Sequence, residues 1–314
     1  MDADISFKHT GLPQLCAFPI ISHIPGVEMS TGMHGSGFFV RSGEHCFVVT
    51  SLHCIWKPGQ SLADNVRNLL IPAPFRKHAR GLKQRGLIST KKAGTHGRRK
   101  HTTNTDRSPR GDFWLTFSEV LTAKALERTD EFTQNGEFDI AVLPLTGLSS
   151  RASSAVLANA IKLPPAGTWF DSVVENNRTS EKIRLRARGF PLNGTESSIA
   201  YESATIIQQG VHLTGYVSGP GPFPHSITAD FEQGSPVSDI NGLSGGPVFL
   251  RLPIGRNNFN YFLVGVMTNG RTRACTFVTV QWVTDLVNSW VAEQAAMKVN
   301  GGNRTISIRQ ESKF

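Results

Sequence analysis

Asn241-Gly242-Leu243-Ser244-Gly245-Gly246-Pro247-Val248-Phe249 puts a serine hydroxyl inside a glycine-rich turn immediately before an apolar strand. A hydroxyl presented this way can act as a nucleophile if a base stands beside it. Two glycines after the serine leave room for a substrate carbonyl. Gly242, two residues before it, can aim its backbone N–H at the same point as the N–H of Ser244. Two convergent donors make an oxyanion hole for acyl transfer. The same composition also closes a hairpin with no chemistry attached, so the segment needs partners elsewhere in the chain.

Two further segments supply them. Phe47-Val48-Val49-Thr50-Ser51-Leu52-His53-Cys54 is a β-branched apolar strand that ends in small polar residues and then presents a histidine. Phe138-Asp139-Ile140-Ala141-Val142-Leu143-Pro144-Leu145 opens with an aspartate that leads straight into an apolar strand of the doubly buried kind. A carboxylate there is costly to bury unless hydrogen-bonded, and the imidazole N–H of His53 is its natural partner.

Together, in the order His, Asp, Ser, these segments resemble the trypsin-like (chymotrypsin-fold) serine peptidases, and most closely the intracellular and bacterial trypsin-like domains. Gly35-Ser36-Gly37-Phe38, ahead of the histidine strand, and Arg188-Gly189-Phe190-Pro191 look like further motifs of that group. The resemblance covers residues 30–58 and 136–285. It implies an all-β chain of two six-stranded antiparallel β-barrels with a C-terminal α-helix, and a triad of His53, Asp139 and Ser244 working as a serine endopeptidase. It also implies an oxyanion hole from the N–H groups of Gly242 and Ser244. Thr268 falls where a serine hydroxyl usually supports the aspartate, and Thr268, Asn269 and Gly270 fall on the strand that binds substrate. Ser238 stands where an aspartate would select basic side chains, so a small polar pocket for uncharged residues is expected.

The departures from the pattern carry information too. Leu243 replaces the aspartate that pairs with a freed N-terminus in zymogens, so no proteolytic activation is expected. Phe38 stands where the disulfide partner of Cys54 would be, and Cys16, Cys46, Cys54 and Cys275 read as small buried thiols. The N-terminus has no apolar run behind a basic stretch and no window approaches a transmembrane length. A cytoplasmic enzyme without a cofactor or metal is the expectation.

Charge is concentrated in one place. Residues 76–110 contain twelve Lys and Arg against Asp106, a net +11, whereas the whole 314-residue chain carries +9. The enzyme is therefore near neutral and carries a basic insertion, about residues 60–112, between His53 and Asp139. Such a run reads as a solvated loop. It could also recruit nucleic acid or an anionic surface, which in an inactive peptidase-fold binding module would be the function. The domain boundaries expected are 1–148 for the first barrel, 149–280 for the second, 281–300 for the helix and 301–314 for a flexible tail. Trp282, Val283, Leu286, Val287, Trp290 and Val291 form the apolar stripe of that helix.

Overall fold

The computed structural model describes residues 16–23, 31–56, 61–73, 114–115, 117–124, 137–167, 169–176, 183–192, 198–200, 205–207, 210–223, 225–232, 241–253, 259–271, 274–300 and 309–311. Its strands are β1 (Ala17–His23), β2 (Thr31–Ser42), β3 (His45–Thr50), β4 (Leu69–Pro72), β5 (Trp114–Leu115), β6 (Leu121–Lys124), β7 (Glu137–Pro144), β8 (Ile161–Lys162) and β9 (Arg184–Gly189). They continue with β10 (Ser198–Ala200), β11 (Thr205–Ile207), β12 (Val211–Pro220), β13 (Ser226–Phe231), β14 (Pro247–Pro253), β15 (Phe259–Arg271), β16 (Ala274–Thr279) and β17 (Arg309–Glu311). Helices span Leu62–Arg67, Ser150–Asn159, Trp169–Asn176 and Gln281–Asn300.

The chain is predominantly β, and its second half closes into a six-stranded antiparallel barrel in the order β12-β13-β16-β15-β14-β9. Strand β9 shows why these residues make barrel staves. Leu185, Ala187 and Gly189 are buried, and they alternate with Arg184, Arg186 and Arg188, whose long stems lie on the outer face. Leu185 and Ala187 join Leu213, Ala229, Val248, Val264, Met267 and Phe277 in the barrel interior. Phe170, from the helix Trp169–Asn176, joins the same cluster and sits 6.2 Å from the Phe277 ring.

The first half forms a nine-stranded sheet with the path β17-β6-β7-β3-β2-β1-β4-β5, and β8 lies alongside β2. Among the described residues this sheet is not closed by a ladder, unlike the expected first barrel. The reason is local. The two residues of β5 pair with β4, β6 pairs with β7, and residues 117–120 between them make no ladder of their own. Strand β3 is buried from Cys46 to Thr50 and lies between β2 and β7, so it reads as a near-continuous apolar run. The β2–β3 hairpin turns through Gly43 at φ +59°, the left-handed geometry that a two-residue connection favours.

Three boundaries differ from the sequence reading. Residues 61–73, read as the start of the insertion, form a capped helical turn and then β4, which pairs with β1 and buries Leu69 and Ile71. The stretch assigned to the second barrel opens with the three-turn helix Ser150–Asn159, started by the Ser149 hydroxyl accepting from Ala152 N at 3.3 Å. Its Ala152 and Val156 pack into the first sheet rather than the barrel. In the stretch read as a tail, Arg309–Glu311 pairs in parallel with Leu121–Ala123.

The C-terminal helix is where the stripe placed it. Trp282, Val283, Leu286, Val287 and Trp290 are buried in a cluster shared by both halves, with Phe38 and Phe47 from the sheet and Phe249 and Leu263 from the barrel. Trp282 lies 4.3 Å from Phe138, and Trp290 meets Phe47 edge-on while its indole N–H donates to Glu119 at 3.0 Å. Burying such rings contributes on the order of 2–3 kcal/mol each, so this helix helps to hold the two halves together. No described helix is long and apolar enough to cross a membrane.

Candidate active site

Register brings histidine and aspartate together. Strand β3 pairs with β7 from Phe47↔Pro144 to Thr50↔Ala141. Two residues further along, Asp139 is level with Leu52, where the chain leaves the strand in the single 3₁₀ turn Leu52–Cys54. Leu52 and Cys54 are buried and hold that turn down, so His53 between them is pushed outward with its side chain 49% exposed. Both carboxylate oxygens of Asp139 are used. Oδ1 accepts the His53 backbone N–H at 2.9 Å, and Oδ2 lies 2.7 Å from Nδ1. A carboxylate only accepts, so in the neutral ring the proton resides on Nδ1 and Nε2 is the basic nitrogen.

The same contact sets the charge. Burial on its own lowers the His53 pKa. The hydrogen bond to Asp139 outweighs it, helped by the adjacent Cys54, and the imidazole is raised above its ordinary 6.5.

Ser244 reaches this pair through the main chain of its loop. Its carbonyl accepts Ser36 N–H at 2.7 Å and the Cys54 thiol at 3.5 Å, which places it against the residue that follows His53. Its half-buried hydroxyl donates to Thr268 O at 3.2 Å. Four consecutive carbonyls in this loop are pinned. Asn241 O accepts from Leu192 N at 2.8 Å, Gly242 O from the Ser36 hydroxyl at 2.7 Å, Leu243 O from Gly246 N at 2.9 Å and Ser244 O from Ser36 N at 2.7 Å. In a trans peptide the N–H opposes the C=O. The N–H groups of Gly242 and Ser244 therefore oppose the pinned carbonyls of Asn241 and Leu243, and neither donates to a described residue. Gly242 holds φ +91°, a conformation that side chains rarely adopt.

The two glycines after the serine also make room for the protein's own backbone. A Cβ at Gly245, which sits at φ +82°, would overlap Ser36 O and Thr50 Oγ1, and one at Gly246 would overlap Arg188 O. Gly245 N–H also donates to Met267 O at 2.6 Å, an oxygen that takes the Ser51 hydroxyl at 2.8 Å as well.

Thr268 also differs from expectation. Its hydroxyl donates to Thr276 O at 3.2 Å and not to Asp139. The ladder between β15 and β16 steps from Met267↔Phe277 to Asn269↔Thr276, which leaves Thr268 as the extra residue of a bulge. The bulge turns its hydroxyl to β16 and its carbonyl to Ser244. Asn269 is exposed and its side-chain oxygen accepts the Gly270 N–H at 2.8 Å. Ser238 and the basic run 76–110 lie outside the described residues. The four cysteines are free and buried, as read, and burial pushes the Cys16 and Cys46 thiols up to about 11.

The sequence reading gave Ser36, Thr50 and Ser51 no role, yet all three are fully buried hydroxyls within hydrogen-bonding reach of the site. The available signal was a hydroxyl residue in or at the end of an apolar strand, a position that must be satisfied by a partner. No family model matches this chain, and neither does any curated protein.

Proposed function

We propose that this protein is a serine endopeptidase of the trypsin-like, chymotrypsin-fold type, acting through an acyl-enzyme. The observation that carries the reading is the Asp139 carboxylate holding His53 by both its backbone and its ring, beside a loop that presents Ser244. On this reading rotation about χ1 takes the Ser244 hydroxyl from Thr268 O to His53 Nε2, a hydrogen bond that commonly tightens only with substrate bound. Oγ attacks the peptide carbonyl as its proton passes to Nε2. The C–N bond then breaks, and the amine leaves with that proton. Water, deprotonated by the same nitrogen, hydrolyses the ester and returns Ser244. The N–H groups of Gly242 and Ser244 hold the oxyanion, each worth roughly 3–4 kcal/mol by the usual cost of losing a donor.

The finer fold proposed is two six-stranded barrels, the first closing through the stretch that links β5 to β6. Substrates are peptides with small or uncharged side chains at the residue before the cut, cytoplasmic in location and met without prior proteolytic maturation. A fluorophosphonate probe tests this. Folded wild type must be labelled and Ser244→Ala must not. A wild type that stays unlabelled while folded makes the chain an inactive peptidase fold, with the basic run as the place to look for a binding function.

A further inference from the structure

We infer that Ser36 is a positioning residue that shapes the oxyanion loop; this rests on the peptidase reading above. Ser36 is fully buried and its backbone and side chain join three segments distant in sequence. Its N–H donates to Ser244 O at 2.7 Å, and its carbonyl accepts from Thr50 Oγ1 at 2.7 Å. Its hydroxyl donates to Gly242 O at 2.7 Å and accepts from Phe190 N at 2.8 Å. One donor and one acceptor site of the hydroxyl are thus occupied by main-chain groups in a dry environment, where the geometry is tightly specified.

The consequence lies in which carbonyls are pinned. Ser36 holds two of the four in the nucleophile loop, those of Gly242 and Ser244. By fixing Phe190 N–H it also holds the segment whose Leu192 N–H pins a third, Asn241 O. Gly242 at φ +91° has no side chain to restrict it, so nothing in the residue itself prevents the following peptide from rotating. The Ser36 hydroxyl is the restraint. Leu192 N and Gly246 N pin the two donor peptides themselves, and the Ser36 hydroxyl anchors the Gly242–Leu243 peptide that sets the angle between them; without it the Gly242 and Ser244 N–H groups lose their common aim while His53 and Asp139 remain paired. Ser36 touches no substrate; it acts through the loop.

The test separates transition-state from ground-state effects. With full-length protein and a peptide substrate, Ser36→Ala should lower kcat about 10²-fold with KM little changed, as expected for weakening one oxyanion donor. Affinity for a peptide aldehyde, whose hemiacetal oxygen needs the same donors, should fall by a similar factor, and affinity for a non-electrophilic product peptide should not. The acid limb of the pH profile, which reports His53, should stay in place. Ser36→Thr, which keeps a hydroxyl, should restore kcat. If Ser36→Ala does not fold at the assay temperature, Ser36→Thr against Ser36→Cys carries the comparison. A thiol is a weak donor, so the Cys variant must be slower in kcat, and equal kcat in the two overturns the inference. An active wild type whose Ser36→Ala variant keeps its kcat, or loses only KM, also overturns it and leaves the peptidase reading intact. A wild type that neither hydrolyses peptides nor takes the probe removes the peptidase reading itself.

Discussion

Replacing Asp139 with Asn changes one atom and inverts the hydrogen bonding of the imidazole. In wild type the carboxylate accepts from His53 N at 2.9 Å and faces His53 Nδ1 at 2.7 Å. An Asn that keeps its oxygen on the backbone N–H must present its NH₂ to Nδ1, which forces the ring proton onto Nε2. That nitrogen can then no longer accept from Ser244. The expected loss is about 10⁴ in kcat, as known for this change in trypsin-like enzymes, or about 5.5 kcal/mol at 1.36 kcal/mol per decade. The pH dependence moves as well. Burial lowers the His53 pKa, and the bond to Asp139 with the aid of Cys54 raises it past 6.5. Since the base must be neutral, wild-type kcat/KM should rise with pH through a value above that of ordinary imidazole. In Asp139→Asn the largest raising contribution is gone, so the residual activity should titrate at lower pH than in wild type. Stability follows with a definite sign. A histidine raised by folding gives stability that is complete below its unfolded value near 6.5 and is lost as pH rises through the folded value. Urea midpoints of wild type and variant should therefore differ most at acidic pH and converge in alkaline solution. Peptide hydrolysis and urea melts across that range check both. A variant that keeps more than a tenth of wild-type kcat with an unshifted acid limb would refute the reasoning.

Gly245→Ala should be severe, because a left-handed φ of +82° costs an L residue roughly 1–2 kcal/mol and its Cβ meets the backbone oxygen of Ser36, which cannot step aside. A loss of about 3 kcal/mol or more, read from the urea midpoint, is expected, and a change below ~1 kcal/mol would show that the loop relaxes freely. Asn269→Ala should do the opposite to substrate binding. Its side chain occupies the Gly270 N–H at 2.8 Å, which on the proposed reading an extended substrate strand needs, so KM for long peptides should fall by about fivefold, one hydrogen bond's net worth, with kcat unchanged. Short substrates that do not reach Gly270 serve as the control.

The pairing of His53 with Asp139 and the loop that holds Ser244 were legible because each residue stands at or near the end of an apolar β run, and the residues beside them announce the strand and its stop. The barrel strands and the C-terminal stripe were legible for the same reason, periodicity over a contiguous window. What escaped depends on register between distant segments. The bulge at Thr268 exists because β15 has one residue more than β16 opposite it, and nothing in Met267-Thr268-Asn269 alone says so. Ser36 finds Gly242 across 206 positions and Phe190 across 154, so its two glycine neighbours were visible and its partners were not. Residues 61–73 were absorbed into the insertion because a six-residue helix and a four-residue strand ending in proline carry too little pattern to stand out from a loop.

The nucleophile loop takes its shape from strands made much earlier in synthesis. A ribosome delivers Ser36, Thr50, His53 and Asp139 first, and the Ser244 loop acquires its geometry only by docking onto them and onto Met267 and Thr268 of β15. The geometry of the Ser244 loop is thus among the last features the chain gains, arriving as β14, β15 and β16 close the barrel. On the proposed reading, a nascent chain holds no organised nucleophile until that closure.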